Sequence, residues 1–431
     1  MLSFSLFGLL ALAASSLFVA AVLGLLAGGL ASFYSTLPLI RGLGEIAWTS
    51  SADFVLVAIP MFILMGELLL RSGVTDAMYT ALDRWVGHIP GGLMHTNVAA
   101  SALFAATSGS SIATAATIGT VSIPNMNRFG YNPALFLGTI AAGGTLGILI
   151  PPSINMVIYG ALSETAVSDL YLAALIPGVL MAVLFSAYVL GACIVRPDLA
   201  PRTAPTPWRE RFAALVHLLP PIMLFLLVVG SIYAGLATPT EASALGVMGS
   251  LALVLSRGRL SVELLLRSFE GTVRTTAMVM LIVTAAFFLN FVLSTIGITD
   301  MAVKLVSNLT WHPIAVLAAI VVFYLVLGCF VETLTLMIAT TPVIVPIIKQ
   351  LGFSPVWFGV VFVILIEAAL ITPPIGMNLF VVQSIRKNGP FRDVVVGSLP
   401  FVAAMLVMIV LLTVFPYMAL WLPSVFAASH G

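Results

Sequence analysis

The chain has 431 residues, of which 61% are hydrophobic and only 8% are charged, and its formal net charge is +1 at pH 7. A soluble domain carries about 25% charged residues, so this composition excludes a soluble protein. The near-neutral charge gives no indication of nucleic-acid binding. Cys193 and Cys329 stand alone without a CxxC or Cys/His pattern, which argues against a disulfide framework or a structural metal site.

Apolar runs of about 20 residues predict membrane-spanning helices along the whole chain. Each half predicts two helices, an amphipathic segment, a helical hairpin, an interrupted helix and a last helix. In the first half these are Leu2–Ala31, Phe54–Leu70, Thr75–Val86, 92–124, 133–164 and Leu170–Val195. A connecting helix, Phe212–Ile232, precedes Glu241–Leu255, Val273–Ile296, Thr299–Leu309, 313–346, 355–383 and Val394–Leu420 in the second half.

The two halves share glycines and prolines at constant offsets. Five glycine or proline positions recur 222 residues later, so that Pro124, for example, corresponds to Pro346. A similar four-residue segment begins at Gly73 and again at Gly297, an offset of 224. Glycine and proline fix backbone geometry, so the same turns and helix breaks are predicted twice. The sequence therefore predicts an all-α polytopic membrane protein of two repeats, 1–211 and 236–431, joined by 212–235. The recurring positions are Pro124, Gly130, Pro133, Pro151 and Pro152, repeated as Pro346, Gly352, Pro355, Pro373 and Pro374.

The first limb of each hairpin is too short to cross a membrane. Limbs 92–107 and 313–328 would span about 24 Å as helices, whereas the hydrocarbon core is about 30 Å thick. A polar tip follows each limb, which favours re-entrant hairpins that enter and leave on one side. Each half then crosses the membrane four times, and the connecting helix inverts the second half relative to the first.

The distribution of basic residues predicts the orientation in the membrane. With the N-terminus in the cytoplasm, only Arg41, Lys304 and Lys349 of the 17 lysines and arginines lie outside. This asymmetry follows the positive-inside rule and predicts a periplasmic C-terminus.

A double proline interrupts one helix in each half, within Ile150–Asn155 and within Thr372–Asn378. Unwound backbone persists in a membrane only where it lines a cavity or binds a ligand, and a matched pair of breaks predicts a binding site near the midplane. A single such break is equally well explained as a packing kink. Hydroxyls at the hairpin tips and free carbonyls suit a hard cation, and half-helix N-termini suit a carboxylate. Glu332 and Glu367 are intramembrane acids and therefore functional candidates, although a structural role for Glu332 is equally open.

Four stretches of the sequence resemble the large membrane subunit of the tripartite ATP-independent periplasmic (TRAP) transporters. They are SGSSIATAATIGTVSIPNM, GYNPALFLGTIAAGGTLGILIPPSINMVIYG, ETLTLMIATTPVIVPI and ITPPIGMNLFV, and the resemblance covers essentially the whole chain. It implies a sodium-driven secondary transporter of a carboxylate, such as a C4-dicarboxylate or sialic acid, in a bacterial inner membrane. It also implies two partners, a separate small four-helix (Q-type) membrane subunit and a periplasmic (P-type) substrate-binding protein. No organic cofactor, nucleic acid or enzymatic activity is expected.

The resemblance further implies an elevator mechanism with two or more sodium ions. The moving transport domain would be 92–164 plus 313–383, and the remaining helices would form a scaffold. The tips and breaks would bind sodium, and neighbouring polar residues are assigned to the substrate. The first ion is assigned to Ser108, Ser110, Gly147, Ile150 and Pro151, the second to Gly328, Thr333, Thr335, Thr372 and Gly376, and the substrate to Ser111, Asn155, Glu332 and Asn378.

Two other functions are considered. The first is a self-sufficient sodium-coupled dicarboxylate carrier of similar architecture, which would need no partner subunit. The second is an intramembrane serine hydrolase that uses Ser108 or Ser110 as its nucleophile and therefore needs a nearby base. The nearest histidine, His95, is about 20 Å away by helix rise, which disfavours a hydrolase.

Overall fold

The computed structural model describes residues 18–201, 205–308 and 311–430, and these form helices without any β-strand. Residues 2–17 of the predicted first helix and the end of the predicted segment Thr299–Leu309 lie outside the described residues. The helices of the first half are α1 (Val19–Tyr34), α2 (Leu43–Ser51), α3 (Ala58–Ser72), α4 (Val74–Val86), α5 (Leu93–Ser108), α6 (Ser111–Phe129), α7 (Pro133–Leu149), α8 (Ile154–Ser163) and α9 (Val167–Val195).

The connecting segment is not the continuous helix that the sequence predicted. Its two parts are bent by 47° where Pro220 and Pro221 begin the second part. Proline has no amide hydrogen to continue the preceding helix, and its ring clashes with the preceding turn. The segment consists of α10 (Trp208–Ala214), α11 (Leu219–Phe225), a π-helical turn (Leu226–Gly230) and the short α12 (Ser231–Tyr233).

The second half differs from its predicted boundaries at two places. The predicted helix Val273–Ile296 begins at Val262, and the predicted helix Val394–Leu420 is split at Pro416, again because proline cannot continue a helix. The helices are α13 (Pro239–Ser256), α14 (Val262–Thr295), α15 (Ile298–Ser307), α16 (Pro313–Gly328), α17 (Thr333–Gln350), α18 (Pro355–Leu370), α19 (Met377–Arg386), α20 (Phe391–Val414) and α21 (Tyr417–His430).

From α3 to α9 and from α14 to α20, the order of elements is the same in the two halves. Gly73 and Gly297 both adopt left-handed backbone conformations, with φ of 72° and 75°, directly before α4 and α15. Each half then has the two limbs of a hairpin (α5–α6 and α16–α17) followed by a helix interrupted at a double proline (α7–α8 and α18–α19). The first interrupted helix bends by 45°, and a cis peptide bond joins the two prolines in each break.

Five helices within the described ranges are long and apolar enough to cross a membrane, and up to eight spans result if each bent helix pair counts as one. Two groups of helices pack together. The hairpins and interrupted helices contact one another across the halves, as in the pairs α6–α19 and α8–α17. In the other group α14 packs against α1, α2 and α3, and α13 packs against α3.

Helices α9 and α20 hold the two breaks in place. The Tyr171 hydroxyl donates to the Ser153 carbonyl oxygen at 3.2 Å, and the Ser398 hydroxyl donates to the Ile371 carbonyl oxygen at 3.1 Å. Helices α7 and α20 are in direct backbone contact, since a Cβ on Gly138 would overlap the Gly397 carbonyl. The packing therefore groups α9 and α20 with the hairpins and interrupted helices, although the sequence analysis had assigned both to the scaffold.

Candidate transport site

The tips of the two hairpins meet at a cavity of about 350 Å³, which we call the transport cavity. Both halves contribute to it, because it is lined by residues from the first tip, the first break and the second tip. Helices α3 and α14 also contribute residues to its lining. Its lining includes Ser108, Gly109, Ser110, Ser111, Asn155, Glu332 and Thr333, with Ile63, Gly66, Glu67, Leu70, Thr275, Met278 and Val279 from α3 and α14.

Oxygen atoms cluster at the first tip. The hydroxyls of Ser108 and Thr114 are hydrogen-bonded at 2.8 Å, and Thr114 also donates to the Ser110 carbonyl oxygen at 2.8 Å. A Cβ on Gly147 would lie 2.6 Å from that carbonyl oxygen, so only glycine lets α7 approach the tip this closely. The structure thus brings together three of the predicted residues and adds Thr114, which the sequence analysis missed. The sequence feature that could have indicated Thr114 is its four-residue spacing from Ser110, which places both residues on one helix face.

The first break also directs towards the tip the carbonyl group of Pro152, which was not among the predicted ligands. A Cβ on Gly109 would lie 3.0 Å from the Pro152 carbonyl oxygen, so the tip faces Pro152. Ile150 instead packs against Gly178 of α9. Ile150 and Pro151 lie in the same break, but neither lines the transport cavity.

The second tip faces the second break across a smaller cavity of about 200 Å³. Gly328 packs so tightly on α18 that an added Cβ would overlap the Ala369 side chain. A Cβ on Gly376 would lie 3.0 Å from the carbonyl oxygens of both Leu370 and Thr372. The Thr372 hydroxyl donates to Ala368 at 2.6 Å, so Thr372 offers its carbonyl oxygen to this region. The predicted residues that line the smaller cavity are Gly328, Glu332, Thr333, Thr335 and Gly376.

Glu332 and Ser110 occupy equivalent positions, as N-caps of the second limbs of their hairpins. The Ser110 hydroxyl accepts a hydrogen bond from the Ala113 amide at 3.4 Å. Glu332 Oε2 accepts from the Thr335 amide at 2.9 Å and from the Thr335 hydroxyl at 3.0 Å. The acid therefore stabilises the start of α17, and it also lines both cavities.

The two asparagines assigned to the substrate lie in different surroundings. Each is the second residue of the half-helix that follows a break. Asn155 lines the transport cavity, and its Nδ2 has no hydrogen-bond partner within the described ranges. Asn378 is buried outside both cavities and donates to the Ala141 carbonyl oxygen at 3.3 Å. Only Asn155 is therefore brought to the cavity.

Glu367 is fully buried in α18, with 0% of its surface exposed. Ser111 donates to its Oε2 at 2.6 Å, whereas its Oε1 has no partner among the described side chains and backbone. The sequence singled out this acid but gave no indication of its partner. The pair connects the first hairpin tip to the interrupted helix of the second half.

The serines at the first tip are not paired with His95. The His95 ring is hydrogen-bonded through Nε2 to the Pro90 carbonyl oxygen at 2.9 Å, at the opposite end of α5 from Ser108. His95 therefore cannot act as the base that a serine nucleophile requires. The hydroxyl, amide, carbonyl and carboxylate groups of the cavity can instead bind ions and a polar solute.

The fold is similar to that of a solved membrane transporter. The YdaH transporter of Alcanivorax borkumensis superposes with a TM-score of 0.63 at 15% sequence identity, covering 94% of this chain and 97% of that chain. This likeness shows the fold, and together with the apolar helices it defines the class as a polytopic helical membrane protein.

Sequence comparison identifies the family. Residues 6–418 match the model of the family described as "Tripartite ATP-independent periplasmic transporter, DctM component". The chain is 35% identical over 390 residues to the C4-dicarboxylate TRAP transporter large permease protein DctM of Pseudomonas aeruginosa, covering 89% of this chain and 90% of the relative. It is 32% identical over 375 residues to the sialic acid TRAP transporter large permease protein SiaM of Vibrio cholerae, covering 87% of each. The chain belongs to the DctM family of TRAP transporter large permeases, as the sequence motifs predicted, and these relatives are permeases rather than enzymes.

Proposed function

We propose that this protein imports a carboxylate across a bacterial inner membrane, coupled to sodium. The observation that carries the proposal is the transport cavity itself, where both hairpin tips place hydroxyl, carbonyl and carboxylate oxygens around one space. The relatives are named for a C4-dicarboxylate and for sialic acid, which are both carboxylates. No lysine or arginine of the described chain lines the cavity, so the charge of a bound anion would be balanced by cations and by the N-termini of α6, α8 and α17.

The two tips would each hold one sodium ion. At the first tip the ligands would come from Ser108, Ser110, Gly147 and Thr114, with the Pro152 carbonyl oxygen from the break. At the second tip they would come from Gly328, Thr333, Thr335, Gly376 and the Thr372 carbonyl oxygen. Oxygen-only ligand sets of this kind suit a hard cation, and the adjacent carboxylate of Glu332 favours positive charge.

Transport would follow an elevator mechanism in which the two halves are inverted repeats. The moving body would contain 92–164 and 313–383, together with α9 and α20, because these two helices donate hydrogen bonds to the carbonyls of both breaks. The group formed by α1, α2, α3, α13 and α14 would form the scaffold, together with α15, which packs against α14. The N-terminus would be cytoplasmic and the C-terminus periplasmic, as the basic residues indicate.

The proposed partners are a small four-helix membrane subunit and a periplasmic binding protein that delivers the substrate. Reconstitution in proteoliposomes tests this proposal. Uptake of the substrate should require all three proteins and an inward sodium gradient, and it should not require ATP. Sustained uptake by this chain alone would identify it instead as a self-sufficient carrier.

A further inference from the structure

A third cavity, of about 220 Å³, lies beside the transport cavity and is lined by charged side chains. We call it the arginine cavity, because Arg71, Arg267 and Arg274 line it together with Glu270 and Gly271. No role in the proposed sodium or substrate sites accounts for these residues.

The two cavities follow one another along the same pair of helices. Helices α3 and α14 pack against each other, and Glu67 and Thr275 line the transport cavity. Within about one turn along each helix, Arg71 and Arg274 line the arginine cavity. A solute that leaves the transport cavity along this helix pair therefore meets the arginines next.

An ion pair stands at the boundary between the two cavities. Arg71 Nη2 donates to Glu67 Oε2 at 2.8 Å. A Cβ on Gly271 would lie 2.8–2.9 Å from the Glu67 carboxyl group, so glycine makes room for this carboxylate between α3 and α14. Arg71 Nε is buried and has no hydrogen-bond partner in the described parts of the chain, so the guanidinium retains an unused donor.

The other charges around the cavity leave an excess of guanidinium groups. Arg267 pairs with Glu263 at 2.8 Å, but their side chains are 63% and 73% exposed, and such a pair is weak. Arg259 lies against Gly73 at the end of α3. Three arginines but only one acid, Glu270, line the cavity itself. Guanidinium groups bind carboxylates through two parallel hydrogen bonds, which lysine cannot do.

We propose that the arginine cavity is a second binding site for the transported carboxylate, which the substrate enters when its carboxylate replaces Glu67 as the partner of Arg71. This inference rests on the proposed function and adds a path by which the substrate leaves the transport cavity. The basic residues of this region lie on the side that the positive-inside rule assigns to the cytoplasm. The site therefore serves the release of the substrate.

The test measures the electrostatic potential in the arginine cavity without requiring transport. In the purified complex, with Cys193 and Cys329 replaced by alanine, Glu270→Cys provides a reporter thiol in the lining. The thiol is labelled with a negatively charged and, separately, with a positively charged methanethiosulfonate reagent. The measured quantity is the ratio of the two labelling rates. Arg71→Gln and Arg274→Gln should each lower the ratio of negative to positive labelling by roughly fivefold. Arg128, near the end of α6, lines none of the three cavities. The matched control Arg128→Gln should therefore leave the labelling ratio unchanged.

A second measurement distinguishes the source of the anion, because a lipid phosphate offers similar chemistry. Succinate, as a dicarboxylate probe, should slow labelling of the reporter thiol in the parent protein and not in Arg71→Gln. An unchanged labelling ratio in both arginine variants would overturn the proposal. So would protection by phosphatidylglycerol nanodiscs without protection by succinate. A failure of sodium-dependent uptake in proteoliposomes would instead count against the proposed function.

Discussion

Ser111 donates a 2.6 Å hydrogen bond to Glu367, which lies 256 positions further along the chain. This bond is the direct side-chain link between the first hairpin tip and the interrupted helix of the second half. Burying a carboxyl group with few hydrogen bonds is costly, and the second oxygen of Glu367 has no partner in the described structure. The Ser111 hydroxyl is therefore expected to be important for stability as well as for the shape of the cavity.

Replacing Ser111 tests this expectation. Ser111→Ala should destabilise the purified complex by about 2 kcal/mol, because it leaves a buried carboxyl group without its hydrogen bond. The measurement is the melting temperature, and Ser111→Thr, which keeps the hydroxyl, should stay close to the parent value. The loss should be much smaller in a Glu367→Leu background, where the acceptor of the hydrogen bond is already absent. An equal loss in both backgrounds would show that the bond to Glu367 is not its cause.

Thr114 should contribute to sodium binding although it lies one turn beyond the tip. Thr114→Val removes the hydroxyl that connects Ser108 to the Ser110 carbonyl group without changing the size of the side chain. We expect the sodium concentration for half-maximal uptake to rise roughly tenfold, equivalent to about 1.4 kcal/mol. Thr114→Ser keeps the hydroxyl and should transport with nearly normal sodium dependence. Normal sodium dependence in Thr114→Val would remove this residue from the proposed site.

Gly147 should be intolerant of even one additional carbon. In Gly147→Ala the new Cβ would lie 2.6 Å from the Ser110 carbonyl oxygen and 2.7 Å from the Thr114 hydroxyl, so the tip must move away from α7. Sodium-dependent uptake should fall at least about tenfold while the protein remains folded. Gly191→Ala is the matched control, since this helical glycine has nothing within 4 Å of an added Cβ. Normal uptake by Gly147→Ala would show that the tip does not need this close approach.

Cross-linking can separate the moving body from the scaffold. Gln350 of α17 donates to Ser307 of α15 at 2.5 Å, whereas Ser50 of α2 and Thr284 of α14 are 3.4 Å apart within the scaffold. In a chain without native cysteines, bridging Ser307→Cys to Gln350→Cys should stop transport, because it ties the second hairpin to the scaffold. Bridging Ser50→Cys to Thr284→Cys should leave transport intact. Full activity with the first bridge in place would contradict an elevator movement of this hairpin.

Local sequence signals predicted much of the architecture because glycine and proline act on the backbone nearest to them. The double prolines indicated both breaks, and the 222-residue offset aligned Ser110 with Glu332, which both cap a helix. The start of α14 at Val262 was missed, because the alternating charges at Glu263 and Arg267 interrupt the apolar run. The sequence could predict that α14 spans, but not how far the helix extends beyond the apolar part.

The sequence alone could not predict which residues from distant parts of the chain contact each other. Nothing in the spacing of Ser111 indicates that Glu367 accepts its hydrogen bond, and nothing around Asn378 indicates that α7 covers it. The assignment of α9 and α20 to the scaffold followed from the family resemblance, which placed there every helix outside 92–164 and 313–383. Their association with the breaks depends on single contacts, such as that between Gly138 and Gly397, which only three-dimensional packing shows.

The interlocking of the two halves has a consequence for biosynthesis. The first half leaves the ribosome and enters the membrane before the residues that complete it exist. Until Pro355 and Glu367 have been inserted, the Tyr159 and Ser111 hydroxyls lack the acceptors that they have in the finished protein. The first hairpin and its interrupted helix therefore remain partly formed until then. Water, lipid headgroups or an insertion factor must meanwhile supply hydrogen-bond partners for these hydroxyls. The transport cavity is completed only after its lining residues of the second half, which end at Leu370, have been inserted.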